Sequence, residues 1–179
     1  MKIWLITDTH FGHDKMKEYC GRPDKFEKLI FKGLDVVEPK DVLIHLGDFC
    51  IGNDEAWHIA FNEEVEGKHW LIKGNHDHKS NSWYLSNGWD FVADFFLDKY
   101  FGKNILFSHI PKKYNGEFDL NIHGHFHNNL HRLLEGRFVV EGEKERNKID
   151  LSNLTSRHKL LSIEETNYQP VLLETFLNK

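Results

Sequence analysis

Five times before residue 128, an apolar, strand-like run in this chain ends in a turn that carries aspartate, asparagine or histidine. The fullest case is Trp70-Leu71-Ile72-Lys73-Gly74-Asn75-His76-Asp77-His78. The others are Ile3 to Ile6 leading into Thr7-Asp8-Thr9-His10, Val42 to Leu46 into Gly47-Asp48, Ile105 to Phe107 into Ser108-His109, and Leu120 to Ile122 into His123-Gly124-His125-Phe126-His127. Turns favour Gly and Asn because both tolerate positive φ. No turn needs His-Asp-His, so the surplus of coordinating side chains points to a ligand.

Side chains at neighbouring strand ends can meet, since adjacent strands lie about 5 Å apart, and parallel-rich sheets collect ligands beyond the carboxyl ends of their strands. A mixed carboxylate and imidazole set drawn from several strands reads as a metal site. It suits Mn, Fe, Zn, Ni or Co, whereas Ca and Mg sites are almost all oxygen. The absence of cysteine from these stretches argues against a structural zinc.

Along the chain, Lys2 to Thr7 reads as a buried strand and Asp8 to Arg22 as a loop. A helix starting at Pro23 would carry Phe26, Leu29, Ile30, Leu34 and Val37 at helical spacing, with Gly33 weakening it and Pro39 stopping it. The strand Val42 to Leu46 precedes a helix capped by Asn53 or Asp54, whose apolar face is Ala56, Trp57, Ala60 and Phe61 and which Gly67 ends. The strand Lys68 to Lys73 then completes a β-α-β-α-β series, which implies parallel strands with right-handed crossovers. A short helix is expected around Asn81 to Asn87.

The second half is richer in strands: Phe91 to Leu97, Ile105 to Phe107, Leu120 to Ile122, Arg137 to Glu141 and Lys159 to Glu164. Glu143 to Arg157 reads as a polar surface excursion, and Val171 to Leu177 as a short strand or helix. The expected architecture is α/β, two packed mixed β-sheets flanked by helices, in a single domain over residues 1–179.

The 40% hydrophobic content, with 14 Phe and 5 Trp, excludes a chain too polar to fold. With 23 Lys and Arg against 28 Asp and Glu, the formal charge is −5, so no broad basic surface for nucleic acid is indicated. A phosphate could still be held, because bound dications dominate the local charge. Cys20 and Cys50 form no C-x-x-C pair, which favours a reducing, cytoplasmic setting. No run approaches a signal-peptide core or a membrane span. Nothing sets an oligomeric state.

Taken in order, Asp8-Thr9-His10, Gly47-Asp48, Gly74-Asn75-His76-Asp77, His109 and Gly124-His125-Phe126-His127 resemble the calcineurin-like metallophosphoesterase superfamily. The following Tyr19-Cys20-Gly21-Arg22-Pro23 and Thr166-Asn167-Tyr168-Gln169-Pro170-Val171 are similar to short bacterial and phage members. The resemblance implies the family's sandwich fold and two divalent ions, Mn foremost and Fe, Zn, Ni or Co as alternatives. Asp8, His10 and His127 would bind one ion, Asn75, His109 and His125 the other, and Asp48 would bridge them. Two ions about 3.5–4 Å apart share a water, lower its pKa and present hydroxide for in-line attack on phosphorus.

By the same resemblance His76 would protonate the leaving oxygen or bond the phosphoryl group, and Asn75 and Arg22 would contact substrate, Arg22 through its planar fork. Asp77 is expected either to orient a ligand histidine or to cap its own turn. His13, His78 and His123 flank the motifs as candidates for contact with substrate or ligands. His45, His58, His69, His131 and His158 read as surface or satisfied-core residues. The protein serine/threonine phosphatase branch carries Asp and Arg shortly after its bridging aspartate, where this chain has Phe49-Cys50-Ile51-Gly52.

The implied activity is hydrolysis of a small phosphomonoester or phosphodiester, with nucleotides and cyclic nucleotides among the candidate substrates. The alternatives are a nuclease acting on nucleic-acid ends and a non-catalytic metal-binding scaffold for protein partners. The presence of both Asp48 and His76 favours catalysis.

Overall fold

A computed structural model describes residues 1–52, 54–129 and 154–178. β1 (Ile3–Ile6), β2 (Val42–His45), β3 (Lys68–Ile72) and β4 (Phe91–Ala93) lie side by side in parallel. β5 (Phe95–Tyr100) runs antiparallel to β6 (Lys103–Ser108), which is parallel to β7 (Leu120–His123), itself parallel to β8 (His158–Leu160). β9 (Val171–Leu172) returns antiparallel to β1. The result is two mixed sheets, ordered β4-β3-β2-β1-β9 and β5-β6-β7-β8.

Strand alternation explains why both sheets face apolar neighbours. Ile6, Leu43 and Leu71 pack on one side of the first sheet with helix residues such as Phe26, Ile30 and Phe61. Leu5, Ile44 and Ile72 pack on the other side against Ile105, Phe107 and Ile122 of the second sheet. β2 is covered on both faces, which accounts for its apolar run Val42 to Ile44 without polar alternation.

The helices are α1 (Met16–Cys20), α2 (Phe26–Leu34), α3 (Asp54–Glu64), α4 (Asn81–Ser86) and α5 (Leu173–Leu177). α2 buries Phe26, Ile30, Gly33 and Leu34. A Cβ at Gly33 would stand 2.7 Å from the Tyr168 carbonyl, so the glycine lets the C-terminal segment lie against this helix. Ser80 caps α4 by accepting from the Trp83 amide at 3.2 Å.

Several expectations are corrected. α1 occupies part of the expected loop between Asp8 and Arg22. α2 starts three residues after Pro23, because Lys25 at its N-cap adopts a left-handed conformation with φ 61°. The expected strand Phe91 to Leu97 is two strands, since the chain leaves one sheet and enters the other at Asp94. The expected strand Lys159 to Glu164 stops at Leu160, and Glu164–Thr166 forms a 3-10 turn. On α3, Ala56 is exposed, while His58 is buried and stacked 4.3 Å from Phe49. The tail is both β9 and α5. Asn53, His131, the expected strand Arg137 to Glu141 and most of the excursion, 143–153, lie outside the described residues. No helix among the described residues is long and apolar enough to cross a membrane.

Candidate metal centre

β1, β2 and β3 release their chains at one end of the first sheet, and β6 and β7 do so at the adjoining end of the second. Seven side chains from these five ends converge there. Asp8, His10 and His127 place ligand-type atoms within 4.8 Å of one another, and so do Asp48, His109 and His125. Asn75 Oδ1 joins the second group, 3.1 Å from His109 Nε2. Asp48 Oδ2 links the groups, at 3.5 Å from His10 Nε2 and 3.2 Å from His109 Nε2. Each group draws residues from both sheets.

The donor set fits dications. His109 Nδ1 faces the Leu46 carbonyl at 2.8 Å, and a carbonyl only accepts, so Nδ1 carries the proton. In the neutral ring Nε2 then presents a lone pair to Asp48 Oδ2, to Asn75 Oδ1 and, at 3.1 Å, to His125 Nδ1. Lone pairs turned on one another need a shared cation, a proton on Nε2 in the ion-free centre or a metal ion in a loaded one. Asp8 Oδ1 and both ring nitrogens of His10 are buried with no hydrogen-bond partner, which is costly unless an ion satisfies them.

Titration of the ion-free centre reflects the same crowding. Burial opposes charge on His109, yet the Asp48 and Asp8 carboxylates prevail and push its pKa up to about 9. Burial would raise Asp48, but His109, His10 and His76 hold it below the usual carboxylate range. Burial drives His125 down to about 3, with His109 adding to the effect. His10 is also lowered, by burial above all, against the pull of Asp48.

The loops that carry these groups are tied to one another. The amides of Asp8, His10 and Phe11 donate to the carbonyls of Gly47, Asp48 and Phe49 at 2.9, 3.0 and 3.0 Å. The Asp77 carboxylate accepts from the amides of Gly74, Asp48 and Phe49 at 2.7, 2.8 and 3.1 Å, so it caps its own turn and joins two loops, and its bonds are to backbone rather than to a ligand histidine. Burial and the neighbouring Asp48 raise its pKa to about 6. Asp8 Oδ2 accepts from Thr7 Oγ1 at 2.6 Å and from the His125 amide at 3.0 Å, a bond that crosses between the sheets.

Asp8, His10, Asp48, His125 and His127 all have φ between 47° and 73°, the left-handed region. Such backbone costs on the order of 1–3 kcal/mol per residue and concentrates at functional sites. Gly124 is required for a different reason, because a Cβ there would collide with Thr7 Oγ1 and Asp8 Oδ2. Gly124→Ala is expected to destabilise the protein by about 1–3 kcal/mol and to weaken ion binding through Asp8. Thermal melts with and without Mn²⁺ check this: the loss should be larger with the ion present.

His76 is exposed, its ring centroid 5.3 Å from that of His10, while its amide donates to Asp48 Oδ1 at 2.8 Å. The imidazole therefore stands at the mouth beside the ligands. His13 also borders His10, at 5.6 Å between centroids, and His78 lies 6.4 Å from His76. His123 is buried, with Nδ1 donating to the Gly124 carbonyl at 3.0 Å.

Arg22 lies elsewhere than expected. Its side chain is fully buried beneath the centre, paired with Glu164 and bonded to the carbonyls of Thr9 and Asp8, so its fork is already occupied and does not face the mouth. His45 is a satisfied core residue, as the sequence allowed, but its bracing role was not foreseen: Nδ1 accepts from the Gly47 amide at 3.1 Å and Nε2 donates to Thr9 Oγ1 at 2.9 Å. Thr9 in turn donates to the Phe49 carbonyl at 2.7 Å. His45 thereby braces the loops that carry His10 and Asp48. Its place at the end of β2 was the one available signal.

The model of calcineurin-like phosphoesterases matches residues 1–152. An uncharacterized protein of Methanocaldococcus jannaschii is 32% identical over 181 residues, covering 97% of this chain and 88% of the relative. The crystal structure of a protein of unknown function from Aquifex aeolicus superimposes with a TM-score of 0.69 at 26% identity, covering 99% of this chain and 98% of that one.

Proposed function

The chain belongs to the calcineurin-like phosphoesterase family, and on that premise we propose that it hydrolyses a small phosphomonoester or phosphodiester, such as a nucleotide or cyclic nucleotide, at a centre of two divalent ions. The observation that carries this reading is Asp48 Oδ2 standing between two groups of carboxylate, amide and imidazole ligands, with an exposed imidazole, His76, at their mouth. In this reading Asp8, His10 and His127 would hold one ion and Asn75, His109 and His125 the other, with Asp48 a ligand available to each. The mixed oxygen and nitrogen set suits Mn²⁺ first, with Fe, Zn, Ni or Co also compatible.

When bound, such ions supply Lewis acidity and a water acidic enough to attack phosphorus near neutral pH. The chain's own groups do the rest. Asp48 keeps the two ligand groups at a fixed separation through its bond from the His76 amide. That bond also fixes the His76 backbone, leaving its imidazole free to donate a proton to the departing oxygen. Asn75, half-buried with Oδ1 3.1 Å from His109 Nε2 and adjacent in sequence to His76, would add a phosphate contact. A cytoplasmic setting is supported by Cys20 and Cys50 being buried and unpaired.

The test is hydrolysis of nitrophenyl phosphate and bis-nitrophenyl phosphate by metal-stripped protein with Mn²⁺ restored. Turnover should return with the ion. His76→Gln should keep the metal content and lower kcat by about 10²–10⁴-fold, and the faster compound identifies the ester class. Protein that binds its ions yet turns over neither compound with Mn²⁺, Ni²⁺, Co²⁺ or Zn²⁺ would instead support the scaffold reading.

A further inference from the structure

We propose that Glu164, held in place by Arg22, is a positioning residue of the centre, fixing His127 in the tautomer and orientation that turn Nε2 toward Asp8. The proposal rests on the dinuclear reading above. It assigns a task to a residue outside the 1–152 span matched by the family model.

Glu164 is nearly inaccessible, with a side-chain exposure of 4%. Its Oε1 accepts from Arg22 Nε at 2.9 Å and Nη2 at 2.7 Å, and lies 3.2 Å from His127 Nδ1. Its Oε2 accepts from Ser162 Oγ at 2.9 Å. An ionised carboxylate can only accept, so the ring nitrogen facing it carries the proton. His127 Nε2 is thereby left with its lone pair, 3.6 Å from Asp8 Oδ1 within the first ligand group. Such acceptors behind a ligand histidine fix its ring and raise its basicity.

Arg22 extends the same support to the other two ligands of that group. Nη2 donates to the Asp8 carbonyl at 2.6 Å and Nη1 to the Thr9 carbonyl at 2.7 Å. One buried Arg-Glu pair therefore holds the backbone on both sides of the Asp8-Thr9 peptide, just ahead of His10, and the ring of His127. The 3-10 turn that delivers Glu164 is closed by the Thr166 and Tyr168 amides donating to the Ile163 carbonyl, and the chain just after it, at Tyr168 and Gln169, lies against Gly33 of α2.

Cys20, His127 and Glu164 also gather ligand-type atoms within 4.8 Å and could be read as a site for a further ion. The surroundings oppose that reading. The Arg22 cation stands on the same Glu164 oxygen that faces His127, and Asn129 Nδ2 points at Cys20 Sγ at 3.6 Å. A dication there would displace a buried guanidinium from its only carboxylate among the described residues.

The test is Mn²⁺ binding by equilibrium dialysis, with electron paramagnetic resonance of the bound ions, on the wild type, Glu164→Gln and Cys20→Ala. Glutamine keeps the shape and one acceptor for Arg22 and His127, which alanine would not, but it removes the charge that pairs with buried Arg22, so folding of each variant is confirmed by circular dichroism. Glu164→Gln is expected to weaken one Mn²⁺ by about 10–100-fold, to spare the other, and to replace a coupled-pair spectrum with that of an isolated ion. Cys20→Ala should keep the wild-type stoichiometry. A folded Glu164→Gln variant with both affinities unchanged overturns the proposal and leaves the dinuclear reading intact. Loss of one ion in Cys20→Ala overturns it in favour of a cysteine-ligated site. A wild type that binds no pair of ions overturns the dinuclear reading and this proposal with it.

Discussion

Asp48→Asn is expected to lower turnover of the nitrophenyl esters by about a thousandfold or more while leaving the protein folded. Removing a single hydrogen-bond donor to a transition state already costs about 10²–10³, and Asp48 serves both ligand groups. Its Oδ2 lies 3.5 Å from His10 Nε2 and 3.2 Å from His109 Nε2. Asparagine keeps the size but removes the charge, and its amide nitrogen cannot ligate. The fold should survive, because the backbone at this position is held independently, its amide by Asp77 and its carbonyl by the His10 amide. Measured kcat and Mn²⁺ content decide the matter, and wild-type turnover with two ions bound would remove Asp48 from the bridging role.

The second large effect is on stability in mild acid. Burial depresses His45 to about 3 and His58 and His123 to about 4, against an ordinary value of 6.5, and none of the three belongs to the proposed ligand set. His45 uses Nδ1 to accept from the Gly47 amide, and His58 uses Nδ1 to accept from Trp89 Nε1 at 2.9 Å, so a second proton would break each bond. Below pH 6.5 the unfolded chain takes up these protons before the folded one does, and stability falls as pH falls toward the folded values. At pH 5 each group contributes a loss of about 2 kcal/mol.

Asp77 works in the opposite direction. Its pKa is raised to about 6, so the folded state gains a proton first and recovers about 1 kcal/mol by pH 5. The gain from His109 in the ion-free protein develops as pH falls from about 9 and is complete by 6.5. The remaining loss, several kcal/mol, is a large share of a typical 5–15 kcal/mol. Urea midpoints of metal-stripped protein at pH 7 and pH 5 should therefore differ strongly, and equal midpoints would show that the three histidines are not held neutral.

The first half was legible because its physics is local. Apolar runs of β1, β2 and β3 alternate with helical spacing, and each coordinating residue follows a strand end within a few positions. The break at Asp94 was not legible, since Phe91 to Leu97 reads as one strand and only the packing of two sheets shows that the chain changes layer there. α1 was missed because five residues carry too little periodicity to stand out from a loop. Arg22 was visible as an unusual cation, but its role depends on Glu164, 142 residues away. His58 and His45 show the same limit: a histidine's partners are set by tertiary contacts that its neighbours in sequence do not encode.

The supply of ligands from both sheets fixes when the centre can exist. During vectorial synthesis, Asp8, His10, Asp48 and Asn75 emerge first, and the β1 to β3 layer can begin to associate around them. At that stage an ion would lack part of its proposed set, because His109, His125 and His127 come later and the acceptor behind His127 later still. With the proposed ligand set, metal capture would be a closing event in biogenesis. The nascent chain would present only part of that set to surrounding ions, and the whole set would come together when the second sheet docks on the first.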